Sequence, residues 1–178
     1  MKYILIIISL LVLSACGSGS DDKQGGSNTD TPGGSLDEQD NFTLQNIRFD
    51  GKDYFEGESV TITEGSSFEV QWVSPILAAY KIDLYLSTNG EEHSDSNKIV
   101  SLKCGSTSFS LCPNVTGEVE CEVDDNRLFC SIANDNLGEE SFLDEDKSNL
   151  TFIVKGCDGF NNCDVKTFNL MVENETDK

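Results

Sequence analysis

Between residues 41 and 173 apolar and polar side chains alternate with a period of two almost everywhere. That is the repeat of β-strands, whose successive side chains point to opposite faces. Phe42 and Leu44, then Ile47 and Phe49, open the series with an irregularity between them. Val60-Thr61-Ile62 follows, Gly65 marks a turn, and Phe68-Glu69-Val70-Gln71-Trp72 sets Phe68, Val70 and Trp72 on one face. The clearest strand alternates Tyr80, Ile82, Leu84 and Leu86 with Lys81, Asp83, Tyr85 and Ser87, which reads as half-buried. Further strands are predicted over 98–103, 107–111, 118–123, 127–132, 150–155 and 165–172. Asp124-Asp125-Asn126 supplies a tight turn, since Asp and Asn tolerate left-handed backbone. No segment sustains a helical period. Many short strands joined by Gly-, Asn-, Asp- and Ser-rich turns predict an all-β antiparallel sandwich. Its core is expected to hold Trp72, Phe68, Leu84, Phe152 and Phe168.

The amino terminus has another pattern. Lys2 precedes an apolar run from Ile4 to Leu13, too short for the roughly 20 residues of a membrane-spanning helix and suited to a signal peptide. The run ends in Leu13-Ser14-Ala15-Cys16, which resembles the lipobox of bacterial lipoproteins. The resemblance implies cleavage of residues 1–15 and a diacylglyceryl group on the Cys16 thiol. It implies stable membrane attachment too, because two or three chains, at about 0.8 kcal/mol per methylene, hold where one does not. Gly17 in place of aspartate after the cysteine points to the outer membrane. Residues 16–40 are almost devoid of apolar side chains and read as a lipidated, flexible Gly/Ser/Asp tether of roughly 25–30 Å typical reach. Residues 41–173 form the domain, and 174–178 a polar tail.

Charge and cysteine content sharpen this picture. With 12 Lys+Arg against 32 Asp+Glu the net charge is −20, which disfavours nucleic acid as a partner. Of seven cysteines, lipidation consumes Cys16 and leaves an even set of six in an exported chain. Spacing favours three local disulfides, Cys104–Cys112, Cys121–Cys130 and Cys157–Cys163, each worth about 2–3 kcal/mol on a chain-entropy basis. Structural zinc would want shorter Cys spacings, and there is a single histidine, His93.

Several segments resemble bacterial Ig-like or fibronectin-type domains. They are Gly65-x-x-Phe68-x-Val70-x-Trp72, the strand from Tyr80 to Leu86, and a final hairpin of Phe152–Asp158 and Lys166–Val172. The resemblance implies an Ig-like sandwich over most of 41–173. Two departures stand out: every domain cysteine lies at or after Cys104, and 104–146 looks like an inserted disulfide-bonded hairpin region.

Catalytic motifs are missing: there is no Gly-x-Ser-x-Gly elbow, phosphate-binding glycine loop, His-Glu-x-x-His or Cys-x-x-Cys. His93 lies in a polar loop, where solvation is the expected state. No enzyme and no resident cofactor are expected. Calcium is the one small ligand that the oxygen-rich turns bring to mind, with Asp124, Asp125, Asp144 and Asp146 as ligands, though no EF-hand loop is present. For partner binding the expected residues are Phe160, on the tip closed by Cys157 and Cys163, and Ile76 and Leu77 in a second apolar loop. The expected function is thus a non-catalytic, membrane-anchored envelope or surface module for a protein or glycan. The alternatives are a structural or protective lipoprotein of inhibitor type and a calcium-stabilised adhesion-like module.

Overall fold

Among the described residues the period-two pattern folds as eleven strands in two facing sheets. The computed structural model describes residues 42–74, 79–105, 112 and 116–174. In chain order the strands are β1 (Gln45–Phe49), β2 (Lys52–Asp53), β3 (Ser59–Thr63), β4 (Ser67–Val73), β5 (Tyr80–Ser87) and β6 (Lys98–Cys104). They continue with β7 (Thr116–Asp124), β8 (Arg127–Ile132), β9 (Asp135–Ser141), β10 (Leu150–Asp158) and β11 (Cys163–Glu173). A 3₁₀ turn, Asp144–Asp146, precedes β10. One sheet has the order β2-β1-β4-β7-β8-β9 and the other β3-β11-β10-β5-β6.

This is an Ig-like sandwich. β11, β10, β5 and β6 run side by side as the G, F, C and C′ strands of a variable-type domain do, while β1, β4 and β7 occupy the A, B and E places of the second sheet. Every strand pairing is antiparallel except that of β3 with β11. The disulfide-bonded hairpin expected within 104–146 is β7–β8. With β9 it continues the six-stranded sheet beyond β4 as a meander, which is where the strand order leaves the standard one.

Local geometry explains the sharp reversals. Asp125-Asn126 and Ala133-Asn134 are two-residue connections in which both residues have positive φ: 50° and 59°, then 48° and 72°. Such turns match the right-handed twist of the strands they join. The irregularity near the start of the domain is a bulge at Asn46, φ 48°, where the β1–β4 register shifts between Gln45 and Arg48.

The core fills the space between the sheets. The five expected core residues all lie there, none more than 3% exposed. Phe49 is its hub, with ring centroids 5.2 to 5.6 Å from Phe168, Tyr54 and Phe152 and 6.3 Å from Phe68. Cys121 and Cys130 stand opposite each other on β7 and β8, Cα atoms 4.0 Å apart, and their disulfide faces this core.

Two expectations need amendment. β2 and β9 were not anticipated; β9 reads Asp-Asn-Leu-Gly-Glu-Glu-Ser, with Leu137 alone packing against the core. β5 is buried on both faces rather than one: Asp83, Tyr85 and Ser87 are only 3–5% exposed. β10 flanks it along its whole length and β6 from Tyr80 to Tyr85, and the connection to β6 brings the His93 ring within 5.4 Å of the Tyr85 ring. His93 stays in its polar loop, partly exposed, with one edge of the ring against Tyr85. The strand expected at 107–111 lies outside the described residues.

Candidate functional site at the loop pole and the adjoining sheet face

Strand directions gather three connections at one end of the sandwich. β4 finishes at Val73, opposite Gln45 and Thr116, so the β4–β5 connection starts beside the beginnings of β1 and β7. Tyr80, at the start of β5, pairs with Cys104 at the end of β6 and with Asp158 at the end of β10. The strand ends that bound the β4–β5, β6–β7 and β10–β11 connections consequently share a pole. These are the places of the B–C, C′–C″ and F–G loops that carry recognition in variable domains. Phe42 and Leu44 pack on Gly156 at this same pole; a side chain at Gly156 would overlap them.

The disulfides belong largely to this end. Cys104–Cys112 joins the end of β6 to the β6–β7 connection, and the Gly105 amide donates to the Cys112 carbonyl at 2.9 Å. Cys157–Cys163 joins register partners at the base of the β10–β11 tip, Cα atoms 4.1 Å apart. All three bridges are the local pairings expected from spacing.

The tip itself is organised by Asp158. Its Oδ1 accepts from the amides of Phe160 (2.8 Å) and Asn162 (2.9 Å), and its Oδ2 accepts from the Asn162 side chain at 2.8 Å. Burial works to raise this carboxyl, but the bonds from Asn162 and Phe160 outweigh it and hold it below the ordinary carboxylate range. Asn161 takes the positive φ of 65° that the turn requires. The result is a short loop clamped by a disulfide and three hydrogen bonds to the Asp158 carboxylate, with Phe160 83% exposed at its end. Ile76, Leu77 and Cys16 lie outside the described residues.

Beside the tip, the outer face of the five-stranded sheet carries a polar cluster that sequence reading did not single out. Lys81 stands opposite Cys157 on one side and Lys103 on the other, and Lys155 stands opposite Asp83. Asp83 Oδ2 accepts from Lys81 Nζ at 2.8 Å and from Tyr85 Oη at 3.3 Å, while its Oδ1 is buried with no hydrogen-bond partner among the described residues. Burial first, then the charge and hydrogen bond of Asp83, push the Tyr85 phenol up to about 12. Lys98 caps the far end of the cluster, bonded to Asp95 with its Nζ 5.9 Å from the Tyr85 ring centroid. The signal was present in the alternating strand, where three ionisable or phenolic side chains occupy successive outward positions, 81, 83 and 85. Which of them would be buried depends on neighbouring strands and was not legible.

The acidic turns are placed as follows. Asp124 and Asp125 border the β7–β8 turn. Asp144 pairs with Lys147 at 2.9 Å, and Asp146 accepts from the Leu143 amide at 3.3 Å. The Phe142 amide donates to the Asn126 carbonyl, which makes the two turns neighbours. Among the described residues no three His, Cys, Asp or Glu side chains converge as a metal-holding group. A small polar cleft at the pole opposite the tip is lined by Ser87, Asn89, Glu92, Asn97 and Glu140, and burial raises the Glu140 carboxyl.

No family model matches the chain, and no curated protein matches it. Among solved structures it is similar to murine CRIg, with 15% identity over 74% of this chain and 98% of that one and a TM-score of 0.31.

Proposed function

We propose that this chain is an exported, lipid-anchored envelope protein whose sandwich is a non-catalytic module for binding a protein partner at the loop pole. The observation that carries the binding reading is Phe160. A large aromatic side chain, 83% exposed, sits on a loop that a disulfide and the Asp158 hydrogen bonds hold in one shape. Rigid presentation lowers the ordering cost of binding, and aromatic anchors of this kind carry a disproportionate share of interface energy.

Three disulfides support an oxidising compartment for the domain. The Leu13-Ser14-Ala15-Cys16 sequence supports cleavage and lipidation at Cys16, the run from Gly17 to Asp40 serves as a leash, and Gly17 favours the outer membrane.

Two experiments test the reading. Cys16→Ser should move the protein from the membrane to the soluble fraction, and persistence in membranes would remove the anchor. Partner capture from envelope extracts, with the captured protein then purified and titrated directly, should be lost on Phe160→Ala. Equal affinity of wild type and Phe160→Ala for that purified protein would remove Phe160 from the interface.

A further inference from the structure

The chain carries a net charge of −20, yet four of its 12 basic residues, Lys81, Lys98, Lys103 and Lys155, lie on or beside one sheet face. Lys81 and Lys103 are direct cross-strand partners and Lys155 is diagonal to Lys81 across β10. Like charges directly opposite destabilise a sheet. Lys81 is compensated by Asp83, and Lys98 by Asp95. Lys103 and Lys155 have no ion-pair partner among the described residues. Lys103 is exposed and Lys155 half-buried.

From this arrangement we infer that the outer face of β6, β5 and β10, next to the Phe160 tip, receives an extended acidic segment of a protein partner, its carboxylates paired with Lys81, Lys103 and Lys155. The inference rests on the protein-binding reading of the pole and names the chemistry of the partner. Spacing supports a peptide. Cross-strand neighbours in a sheet lie about 5 Å apart and diagonal ones about 7–8 Å. Carboxylates at alternate positions of an extended chain recur at about 7 Å, so two or three of them match the three lysines.

Overall charge does not forbid such a ligand. The carboxylate-rich face of the molecule, with Glu69, Glu118, Glu120 and Glu122 outward on β4 and β7, belongs to the other sheet. Packed sheets lie about 10 Å apart, and the screening length at physiological salt is about 8 Å. A short segment on the lysine face therefore senses mostly that face, where Lys81, Lys98, Lys103 and Lys155 outnumber Asp83 and Asp95, whereas a long polyanion such as nucleic acid would meet the field of the whole molecule.

The test uses the full chain, isotope-labelled, and a synthetic peptide of repeating Glu-Thr, with a Gln-Thr peptide of equal length as control, at physiological ionic strength. The Glu-Thr peptide should shift the amide resonances of Lys81, Lys103 and Lys155, and the control should not. Lys103→Gln with Lys155→Gln touches no ion pair among the described residues, so melting temperature should stay as in wild type while affinity falls on the order of tenfold. Failure of the Glu-Thr peptide to bind, equal binding of both peptides, unchanged affinity in the double variant, or shifts confined to another face would each overturn the inference. The Phe160→Ala comparison with the captured partner would be untouched by those outcomes, so the two readings fail separately.

Discussion

Trp72 and Gly117 are register partners on β4 and β7, and the indole of Trp72 lies over the glycine in the space a Cβ would fill. Trp72 is fully buried, and its Nε1 donates to the Tyr80 hydroxyl at 3.2 Å, so the ring is fixed from both sides and spans the two sheets. Gly117 is the one position on β7 that lets the largest core side chain sit flat. Gly117→Ala forces the indole off its rotamer, and overpacking of this kind costs about 1–3 kcal/mol. Urea unfolding should show a loss near the top of that range, and a loss below about 0.5 kcal/mol would mean that the indole moves freely.

Glu69 on β4 and Glu120 on β7 stand directly opposite one another on the exposed face of the same sheet, with Glu118 and Glu122 at the diagonals. Gln71 gives partial relief by donating to Glu118 at 2.7 Å and to Glu69 at 3.3 Å. Replacing a like-charged cross-strand pair with an opposite one is worth about 1 kcal/mol. Glu120→Lys should raise the urea midpoint accordingly. The advantage should shrink in about 1 M salt, where screening acts within about 3 Å. Identical midpoints at low and high salt would show that these side chains do not sense each other.

Much of this architecture can be read from the alternation itself. Phe68, Val70 and Trp72 fall on the inward face of β4, and the break between Leu44 and Ile47 is the bulge at Asn46. Cysteine spacing yields the pairings because each bridge links strands or a connection close in sequence, where few partners are in reach. The sequence pattern fails where pairing, not periodicity, makes the strand. β9 has a single side chain in contact with the core, and its ladder with β8 is what holds it extended. The binding tip was visible as Phe160 between two cysteines, but the lysine cluster was not. Lys81, Lys103 and Lys155 come from three strands, and only the registers of β5 with β6 and β10 bring them together.

Tyr85 ties stability to alkaline pH. Its phenol is raised from 10.0 to about 12 by burial, by the charge and hydrogen bond of Asp83, and by the charge of Asp95. A raised acid stays neutral in the fold while the unfolded chain ionises, so the unfolded state releases the proton first and stability declines as pH rises. Its contribution is complete below pH 10 and disappears between pH 10 and about 12. Tyr85→Phe removes this component. Its urea stability should therefore fall less steeply than wild type between pH 9 and pH 11, even though the hydrogen bond to Asp83 is lost at every pH. Parallel decline of the two proteins, or a wild-type phenolate absorbance that titrates for all tyrosines near 10, would refute the assignment.

Exposure separates two of the disulfides, and thiol exchange requires access to the sulfur as well as a reactive thiolate. Cys121 and Cys130 are 1% and 0% exposed, facing the core between Val119, Val123 and Leu128. Cys163 is exposed and Cys157 half-buried on the outer face at the base of the tip. A mild phosphine reductant followed by an alkylating reagent should therefore label Cys157 and Cys163 in the folded protein and leave Cys121 and Cys130 unmodified until the chain unfolds. Opening the tip bridge removes a short loop closure worth about 2–3 kcal/mol, but the three bonds to the Asp158 carboxylate remain. The selectively alkylated protein should stay folded with a lower melting temperature. Its Phe160 and Asn162 amides should exchange with solvent faster than in the oxidised protein and more slowly than in an Asp158→Ala variant of the reduced protein. Simultaneous labelling of all four cysteines under folding conditions would show that the sandwich opens as readily as its tip.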